Sequence, residues 1–208
     1  MFSRLVLLLP GSVNYAKFDH FFQENDYIIA VDGGIEHSLP LNIEPNLWVG
    51  DFDSCKLESK TQFAHVPTEV FPTDKDLLDT EIALSKTKDL NVHECVMIGG
   101  MGGRLDHQLS LFMLLTNHPK LQFMHTDGET ELYSLNNTIE RTIKADSFKH
   151  VSIIPITTLE DVSISNVKWP LHNVILKPGK GFSISNEPTE KFIHYSQSKG
   201  LGWLVLTN

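Results

Sequence analysis

The sequence has few cysteines, few basic residues and no long apolar stretch, and each shortage excludes a class of protein. Cys55 and Cys95 are its two cysteines, and they form no Cys-x-x-Cys pair and have no zinc-like spacing to histidine. Neither a disulfide framework nor a structural zinc site is therefore expected. We interpret both as reduced thiols, which predicts a cytoplasmic location.

Basic residues are outnumbered by acidic ones. The chain has 17 Lys and Arg against 26 Asp and Glu, a formal net charge of -9. Nucleic-acid backbones attract basic surfaces, so we expect no nucleic-acid partner. The apolar run Leu5–Leu9 stops at Pro10-Gly11 and is too short for a signal-peptide core or a membrane span. We interpret it as a first strand and expect no membrane partner.

Two common nucleotide-binding motifs are also missing from the sequence. It contains no Gly-Lys-Ser or Gly-Lys-Thr, and no Gly-x-Gly-x-x-Gly. The first absence argues against a P-loop. The second argues against an NAD-linked oxidoreductase, which an alternating strand–helix pattern alone would otherwise suggest.

Short apolar runs alternate with helix-like stretches over the first 128 residues. Apolar residues recur at helical spacing over residues 15–25, 75–86 and 105–117. This alternation predicts a mostly parallel sheet flanked by helices, that is, an α/β domain over residues 1–128. The expected strands are residues 5–9, 27–31, 47–49, 69–71, 95–98 and 121–124.

The pattern changes from about residue 129, where helical periodicity ends and short strand-like runs lie between turn residues. Such runs leave no room for crossover helices, so they predict a smaller all-β domain, a sandwich or barrel, over residues 129–208. No linker-like segment separates the two halves. The expected strands are residues 131–135, 138–143, 151–156, 174–176, 192–195 and 203–206.

Acidic residues and glycines follow successive strands of the α/β half, in segments 31–34, 49–54, 72–76 and 98–104. In an open parallel sheet these are the carboxyl ends, where ligands bind. Carboxylates gathered at one edge repel each other and require cations. Oxygen ligands without His or Cys favour magnesium, which completes its shell with phosphate oxygens and water. The sequence therefore predicts a magnesium and nucleotide site.

The individual motifs are less specific than their combination. Asp51 and Asp53 are two residues apart, so they face the same way on extended backbone. Asp76 and Asp79 are three apart, which places them on one face of a helical turn. Single aspartates at such positions also serve as helix caps, so each alone has a structural explanation. Arg104, after four glycines in residues 99–103, can bind a phosphate through two hydrogen bonds.

Together the motifs resemble the thiamine pyrophosphokinase family. The resemblance extends over nearly the whole chain, including the change from an α/β half to a β half. Its motifs, in the order and spacing of the family, are Gly50-Asp51-Phe52-Asp53-Ser54, Lys75-Asp76-x-x-Asp79 and Gly102-Gly103-Arg104-Leu105-Asp106-His107, with Asp32-Gly33-Gly34 and Ser185-Asn186-Glu187 also fitting.

The resemblance implies a magnesium-dependent enzyme that transfers the pyrophosphoryl group of ATP to the hydroxyl of thiamine, giving thiamine diphosphate and AMP. It also implies a homodimer with the thiamine pocket at the subunit interface. The matching magnesium-binding and catalytic carboxylates are Asp51, Asp53, Asp76, Asp79 and Asp106. The matching nucleotide-binding residues are Asp32, Gly33, Gly34, Ser54, Lys75, Gly102, Gly103, Arg104 and His107, and the matching thiamine-binding residues are Ser185, Asn186 and Trp203.

Two positions depart from the family pattern, which usually has Thr in place of Leu78 and Asn in place of Leu111. The loss of these hydrogen-bonding groups leaves open a sensor of ATP or thiamine without turnover. A second alternative keeps the enzyme but has it act on another small alcohol. Asp76 and Asp106 are the candidates to accept the hydroxyl proton, although both could be metal ligands alone. Without the resemblance, Trp203 would be interpreted as a core or interface aromatic.

Overall fold

The computed structural model describes residues 2–52, 55–71 and 78–208, and the chain divides into two compact units. The first unit contains the residues up to Leu111 together with His125–Gly128. The second contains Phe112–Met124 and Glu129–Asn208. The domain ranges predicted from the sequence, 1–128 and 129–208, stay a prediction.

A parallel β-sheet forms the centre of the first unit. Its strands pair in parallel in the order β4-β3-β2-β1-β5, and β6 lies next to β5. Helix α2 packs on β1, β2 and β3. The strands are β1 (Arg4–Leu8), β2 (Asp26–Val31), β3 (Leu47–Gly50), β4 (Thr68–Val70) and β5 (Glu94–Ile98), and the helices are α1 (Leu57–Gln62), α2 (Asp79–Leu90) and α3 (Leu105–Met113). Strand β6 (Gln122–Thr126) contributes only its last two residues, His125 and Thr126, to this unit.

Burial explains why the central strands have nearly continuous apolar sequences. Every residue of β1 is buried, including Leu5 to Leu8, which have no exposed surface. Such strands occur in sheets that are covered on both faces. The α/β class predicted for this half is confirmed, and so is the interpretation of the first apolar run as a strand.

The helix expected over residues 15–25 is absent. The structure has only a short 3-10 turn at Tyr15–Lys17, and His20 adopts a φ of +56° that no helix continues through. The apolar residues at helical spacing instead form an aromatic cluster. The ring centroid of Phe21 lies 5.1 Å from that of Phe18 and 5.5 Å from that of Phe22. Aromatic packing, and not a helical stripe, accounts for this pattern.

The second unit is an antiparallel sandwich, as predicted for the all-β half. One group of strands has the order β7-β13-β9 and the other β11-β10-β12-β8. Both contribute to one core, in which Leu135, Ile164, Tyr195 and Leu204 are buried. The strands are β7 (Glu131–Asn136), β8 (Ile139–Lys144), β9 (His150–Pro155), β10 (Leu159–Ser165), β11 (Leu171–Leu176), β12 (Phe192–Gln197) and β13 (Leu201–Thr207).

Strand β10 was not expected from the sequence because its apolar alternation is interrupted. Its pairing with β11 shifts register between Leu159 and Val162, where Asp161 has a φ of +55°. A bulge of this kind adds a residue and breaks the two-residue period. No helix in the described part of the chain is long and apolar enough to span a membrane.

The start of α2 has half of a capping box. Leu78 is the N-cap residue, with φ -68° and ψ 147°, and its backbone N–H donates to Glu81 Oε2 at 3.0 Å. The reciprocal bond requires an oxygen on the N-cap side chain, which leucine does not have. Asp79, one of the predicted site residues, is the first residue of this helix.

We expect Leu78→Thr to stabilise the protein by about 1 kcal/mol, because the threonine hydroxyl would complete the capping box. Urea unfolding of the variant and the wild type measures the difference. Leu78→Ala is the matched control, since it removes the same apolar side chain without adding an acceptor. A threonine variant no more stable than the alanine variant would contradict the prediction.

Candidate active site

A cavity of about 560 Å³ opens in the first unit beside the carboxyl ends of β1, β2 and β5. Six of the predicted site residues line it: Asp32, Asp79, Gly102, Gly103, Arg104 and His107. The other lining residues are Leu9, Pro10, Gly11, Val31, Leu78, Thr80, Gly100 and Leu111. The structure thus brings together residues that are up to 75 positions apart in the sequence, as Asp32 and His107 are.

Asp32 is held in an unusual backbone conformation at the end of β2. Its φ is +44°, and its carbonyl oxygen accepts a hydrogen bond from Trp48 Nε1 at 2.9 Å. Non-glycine residues rarely adopt positive φ, and such strain is common at functional sites. A Cβ on Gly50 would lie 1.8 Å from Asp32 Oδ1, so only glycine leaves room for this carboxyl group.

The Asp32 carboxyl group lies in a negatively charged environment. Its Oδ1 is buried and has no hydrogen-bond partner among the described residues. Burial raises the pKa of Asp32 to about 6, helped by the charge of Asp79, a hydrogen bond with the Asp79 carboxyl group and the charge of Asp51. The backbone N–H of Phe52 opposes this by donating to Asp32. An accumulation of negative charge with a free oxygen is suited to a cation.

Two of the predicted glycines, Gly33 and Gly34, directly follow Asp32 in the chain. Residues Asp32–His37 form a 3-10 turn, in which a Cβ on Gly34 would lie 2.0 Å from the Leu8 carbonyl oxygen. Gly34 therefore allows the turn to pack closely on the end of β1. Gly33 is less confined, since the nearest atoms to a Cβ there are in Pro10 at 4.0 Å.

The turn after β5 exposes backbone next to the cavity. Gly102 and Gly103 have φ values of +77° and +73°, and a Cβ on either would meet no atom within 4 Å. Arg104 follows and is paired with Asp106 through Nη2–Oδ2 at 2.6 Å and Nε–Oδ1 at 3.2 Å. These hydrogen bonds from Arg104 lower the pKa of Asp106 to about 2. Both side chains are exposed, so the Arg104 guanidinium is accessible to an anion.

Four predicted site residues, Asp53, Ser54, Lys75 and Asp76, lie outside the described residues. Within residues 2–52, 55–71 and 78–208, no group of three or more His, Cys, Asp or Glu side chains is close enough to hold a metal ion. The magnesium site therefore stays a prediction.

Both departures from the family pattern lie on the same cavity. Leu78 lines it at the start of α2, and Leu111 lines it from α3. A Cβ on Gly100 would lie 2.9 Å from both Leu111 Cδ1 and Leu9 Cδ1, so these leucines close around the glycine turn. The two positions that lack the expected polar side chains give one part of the cavity an apolar wall.

The second unit has a groove of its own, with a volume of about 380 Å³. Trp169 and Phe182 line it and are 54% and 69% exposed. Lys168 Nζ lies 4.7 Å from the Trp169 ring centroid and is bonded to both carboxylate oxygens of Glu187, at 3.0 and 3.1 Å. The groove thus offers exposed aromatic surface beside a neutralised charge.

Asn186 also lines this groove, and its side chain fixes the neighbouring loop. Its Oδ1 accepts from the backbone N–H groups of Trp169 at 3.0 Å and Glu187 at 2.9 Å, and its Nδ2 donates to the Trp169 carbonyl at 2.7 Å. Ser185, one position earlier, is exposed with a φ of +58°. Two of the three predicted thiamine residues are therefore at or next to the groove.

Trp203, the third, lies in a separate aromatic cluster and is 2% exposed. Its Nε1 donates to the Phe112 carbonyl at 2.8 Å, and its ring centroid is 6.5 Å from Phe112 and 6.3 Å from Phe123. These contacts are those of a core residue. Its assignment to the thiamine pocket stays a prediction based on the resemblance.

Comparison with known proteins identifies the family. The model of the thiamin pyrophosphokinase catalytic domain matches residues 18–125, and that of the thiamin pyrophosphokinase vitamin B1 binding domain matches residues 136–201. The chain belongs to the thiamin pyrophosphokinase family.

Individual relatives and structures agree with the family models. The chain is 26% identical to thiamine pyrophosphokinase from Bacillus subtilis over 202 residues, which cover 93% of this chain and 90% of the relative. It is 27% identical to thiamin pyrophosphokinase 1 from Caenorhabditis elegans over 204 residues, covering 89% and 81%. The crystal structure of the B. subtilis thiamine pyrophosphokinase has the same fold, with a TM-score of 0.87, 22% identity and 99% coverage of both chains.

In this member of the thiamin pyrophosphokinase family, sequence reasoning missed the exposed aromatic residues of the second unit. Trp169 lies between Lys168 and Pro170 in a segment without apolar periodicity, which is the signal that could have indicated its exposure. Phe182 follows the turn at Pro178-Gly179 and gave no signal apart from its flanking glycine.

We expect Asp32→Asn to stabilise the protein near neutral pH. The folded pKa of about 6 is above the ordinary aspartate value of about 3.9, so the folded state binds the proton more tightly than the unfolded state. The stabilisation due to this proton is complete below about pH 4 and is lost as the pH rises through about 6. Above that range the wild type holds a charged carboxylate that the amide variant lacks.

Thermal unfolding at about pH 7.5 and about pH 4.5 tests this. The melting temperature of Asp32→Asn should exceed that of the wild type at the higher pH, and the gain should shrink at the lower one. Asp106→Asn serves as the control, because the pKa of Asp106 is lowered and its removal should give no such gain. A gain of equal size at both pH values would refute the raised pKa.

Proposed function

We propose that this member of the thiamin pyrophosphokinase family transfers the pyrophosphoryl group of ATP to the hydroxyl of thiamine, giving thiamine diphosphate and AMP. The main support is the cavity at the carboxyl ends of the parallel strands, where Asp32 and Asp79 share a lining with the glycine turn and Arg104. A divalent cation held between carboxylates and phosphate oxygens would account for this combination of groups in one cavity.

ATP would occupy this cavity with its phosphates beside the glycine turn. Gly102 and Gly103 leave their backbone N–H groups unobstructed by side chains, and the exposed Arg104 can bind phosphate oxygens. Gly33, Gly34, Ser54, Lys75 and His107 complete the proposed nucleotide-binding set.

One observation supports magnesium at these donors. Asp32 Oδ1 is buried without a hydrogen-bond partner among the described residues, and it lies in the field of Asp79 and Asp51. The proposed ligands are Asp51, Asp53, Asp76, Asp79 and Asp106, with Asp32 beside them. When bound, the ion supplies positive charge that stabilises the developing charge on the phosphate oxygens.

The chain's own residues would orient and deprotonate the reactants. The thiamine oxygen attacks the β-phosphorus, the new O–P bond forms, and the bond from that phosphorus to the AMP oxygen breaks. Asp76 or Asp106 is proposed to accept the hydroxyl proton. Arg104 would have to exchange its bonds with Asp106 for bonds to the transferred group, since a guanidinium paired with a carboxylate cannot bind phosphate with the same donors.

Thiamine is proposed to bind at the groove of the second unit, with Ser185 and Asn186 at its edge. Thiamine has two flat rings and a positive charge, and aromatic faces bind such ligands well. Trp169 and Phe182 provide exposed aromatic surface there, and the groove lies within residues 136–201 that match the vitamin B1 binding domain. Trp203 remains a proposed contact on the resemblance.

A homodimer with the thiamine pocket at the subunit interface is also proposed, because apolar residues are exposed around this groove. Around the groove, Phe182, Ile175 and Trp169 are 69%, 62% and 54% exposed, and exposed apolar clusters mark interaction surfaces. Sedimentation equilibrium measures the oligomeric state.

Both cysteines are free, which agrees with the proposed cytoplasmic location. No nucleic-acid or membrane partner is proposed.

The experiment that tests this function is incubation of the protein with ATP, magnesium and thiamine, followed by quantification of thiamine diphosphate and AMP. Equal amounts of both products support transfer of the intact pyrophosphoryl group. A sensor would bind the ligands without releasing AMP. An enzyme for another alcohol would release AMP with that alcohol and not with thiamine.

We expect Asp53→Ala or Asp76→Ala to reduce turnover by at least ~100-fold, because charge stabilisation at the phosphates would be lost. Steady-state formation of AMP measures this, with circular dichroism to confirm folding. Asp89→Ala is the matched control, since Asp89 is an exposed aspartate near the end of α2 and lines no part of the cavity. Near-normal turnover in both site variants would rule out the assignment.

We expect Trp169→Ala to raise the KM for thiamine roughly 3- to 30-fold through loss of an aromatic contact with a cation. The KM for ATP and the melting temperature should change little, because the side chain is more than half exposed. Trp203→Ala is the comparison. The family resemblance predicts that it also weakens thiamine binding, and the burial of Trp203 predicts an added loss of about 3–5 kcal/mol in the free energy of unfolding. An unchanged thiamine KM in Trp169→Ala would exclude Trp169 from the pocket.

A further inference from the structure

The glycine-rich turn after β5 has little intrinsic rigidity. Gly99 and Gly100 have φ values of +86° and +72°, and a Cβ on Gly99 would lie 2.3 Å from the Leu9 carbonyl oxygen. Glycine is therefore required at this position, yet glycine has more backbone freedom to lose than any other residue. A turn that binds phosphate through its backbone needs additional contacts to keep one shape.

Two strand ends and one buried side chain provide those contacts. The Gly99 N–H donates to the Thr126 carbonyl at 3.0 Å, and the Gly100 N–H donates to the Pro10 carbonyl at 2.9 Å. On the opposite side of the peptide, the Gly99 carbonyl receives a hydrogen bond from His125 Nε2 at 2.6 Å. His125 is completely buried, so this bond is protected from water.

The chemistry of the bond shows what His125 can and cannot do. A carbonyl oxygen only accepts, so Nε2 carries the hydrogen and donates it. Burial lowers the pKa of His125 to about 4, and the ring is therefore neutral near physiological pH. A Cβ on Gly100 would lie 3.4 Å from Nε2, so the ring also packs against the second glycine. His125 does not line the cavity, and any effect on a ligand acts through the turn.

We propose that His125 is a positioning residue for the nucleotide: its hydrogen bond to the Gly99 carbonyl holds the turn so that the backbone of Gly102 and Gly103 and the side chain of Arg104 face the phosphates. The inference rests on the proposed function, because ATP is the ligand that the turn would bind. Removal of the donor leaves the buried Gly99 carbonyl unsatisfied, which the turn can relieve only by moving.

Three variants test the proposal. His125→Leu fills a similar volume without a donor, and His125→Gln carries an amide nitrogen near the position of Nε2. Val96→Ala is the control for stability, because Val96 is fully buried in β5 and removing its methyl groups leaves the hydrogen bonds of the turn intact. Each variant is assayed for the KM of ATP, the KM of thiamine and kcat.

For His125→Leu we expect the KM for ATP to rise at least ~10-fold while the KM for thiamine stays within ~2-fold of wild type. His125→Gln should recover most of the loss, and Val96→Ala should lower the melting temperature without changing either KM. An unchanged KM for ATP, an equal rise in both KM values, or a glutamine variant no better than leucine would overturn the proposal. If His125→Leu does not fold, His125→Asn replaces it, since its shorter amide cannot reach Gly99; equal ATP KM values for Asn and Gln would then overturn the proposal.

Amide hydrogen exchange separates this inference from the proposed function, because it needs no ligand. The Gly99 and Gly100 amides should exchange at least ~10-fold faster in His125→Leu than in Val96→Ala of similar global stability. Unaltered exchange would overturn the positioning role even in an active enzyme. Faster exchange in a protein that makes no thiamine diphosphate would support the positioning role and reject the proposed function.

Discussion

The structure of the site depends on holding carboxyl groups closer together than their charges favour. Burial raises the pKa of Asp32 to about 6, and the charge of Asp79, a hydrogen bond with the Asp79 carboxyl group and the charge of Asp51 add to the rise. The parallel sheet makes this possible, since it brings the ends of separate strands to one edge. Trp48 holds the Asp32 backbone, and Gly50 makes room for the Asp32 side chain. The strain and repulsion support the proposed cation, which would offset them.

The glycine turn is constrained differently, because in the proposed function it presents backbone N–H groups and its glycines have no side chains to fix its shape. The surrounding structure therefore supplies the rigidity, through the carbonyl of Pro10 shortly after β1, the carbonyl of Thr126 at the end of β6 and the imidazole of His125. A wall of Leu9, Leu78 and Leu111 closes the same cavity. Electrostatic interactions are stronger beside such apolar surfaces than in water. The apolar wall therefore strengthens the interactions of the charged groups that line the same cavity.

The sequence was sufficient to predict the two-part fold and the cavity's main residues, because both depend on local patterns: buried runs and the acids and glycines that end them. It was insufficient where tertiary packing decides. The aromatic spacing of residues 15–25 is typical of a helix, yet Phe18, Phe21 and Phe22 pack against each other around a loop. Trp203 is 2% exposed because strand β13 places it in an aromatic cluster with Phe112 and Phe123, a contact that the sequence around it does not reveal. No local pattern predicts that residues 112–124 belong to the second unit.

Transfer chemistry sets the last constraint on how the two units work. An oxygen attacks phosphorus productively only when the two atoms are within about 3.5 Å, so in the proposed function the thiamine hydroxyl would have to reach phosphates bound at the cavity of a first unit. The groove with Trp169 and Phe182 belongs to a second unit. If thiamine binds there as proposed, it has to be presented to a nucleotide cavity, either in the same chain or in a partner copy. In the proposed homodimer a partner copy would cover the exposed aromatic residues around the groove, and a surface that closes over both substrates would exclude water from the reaction.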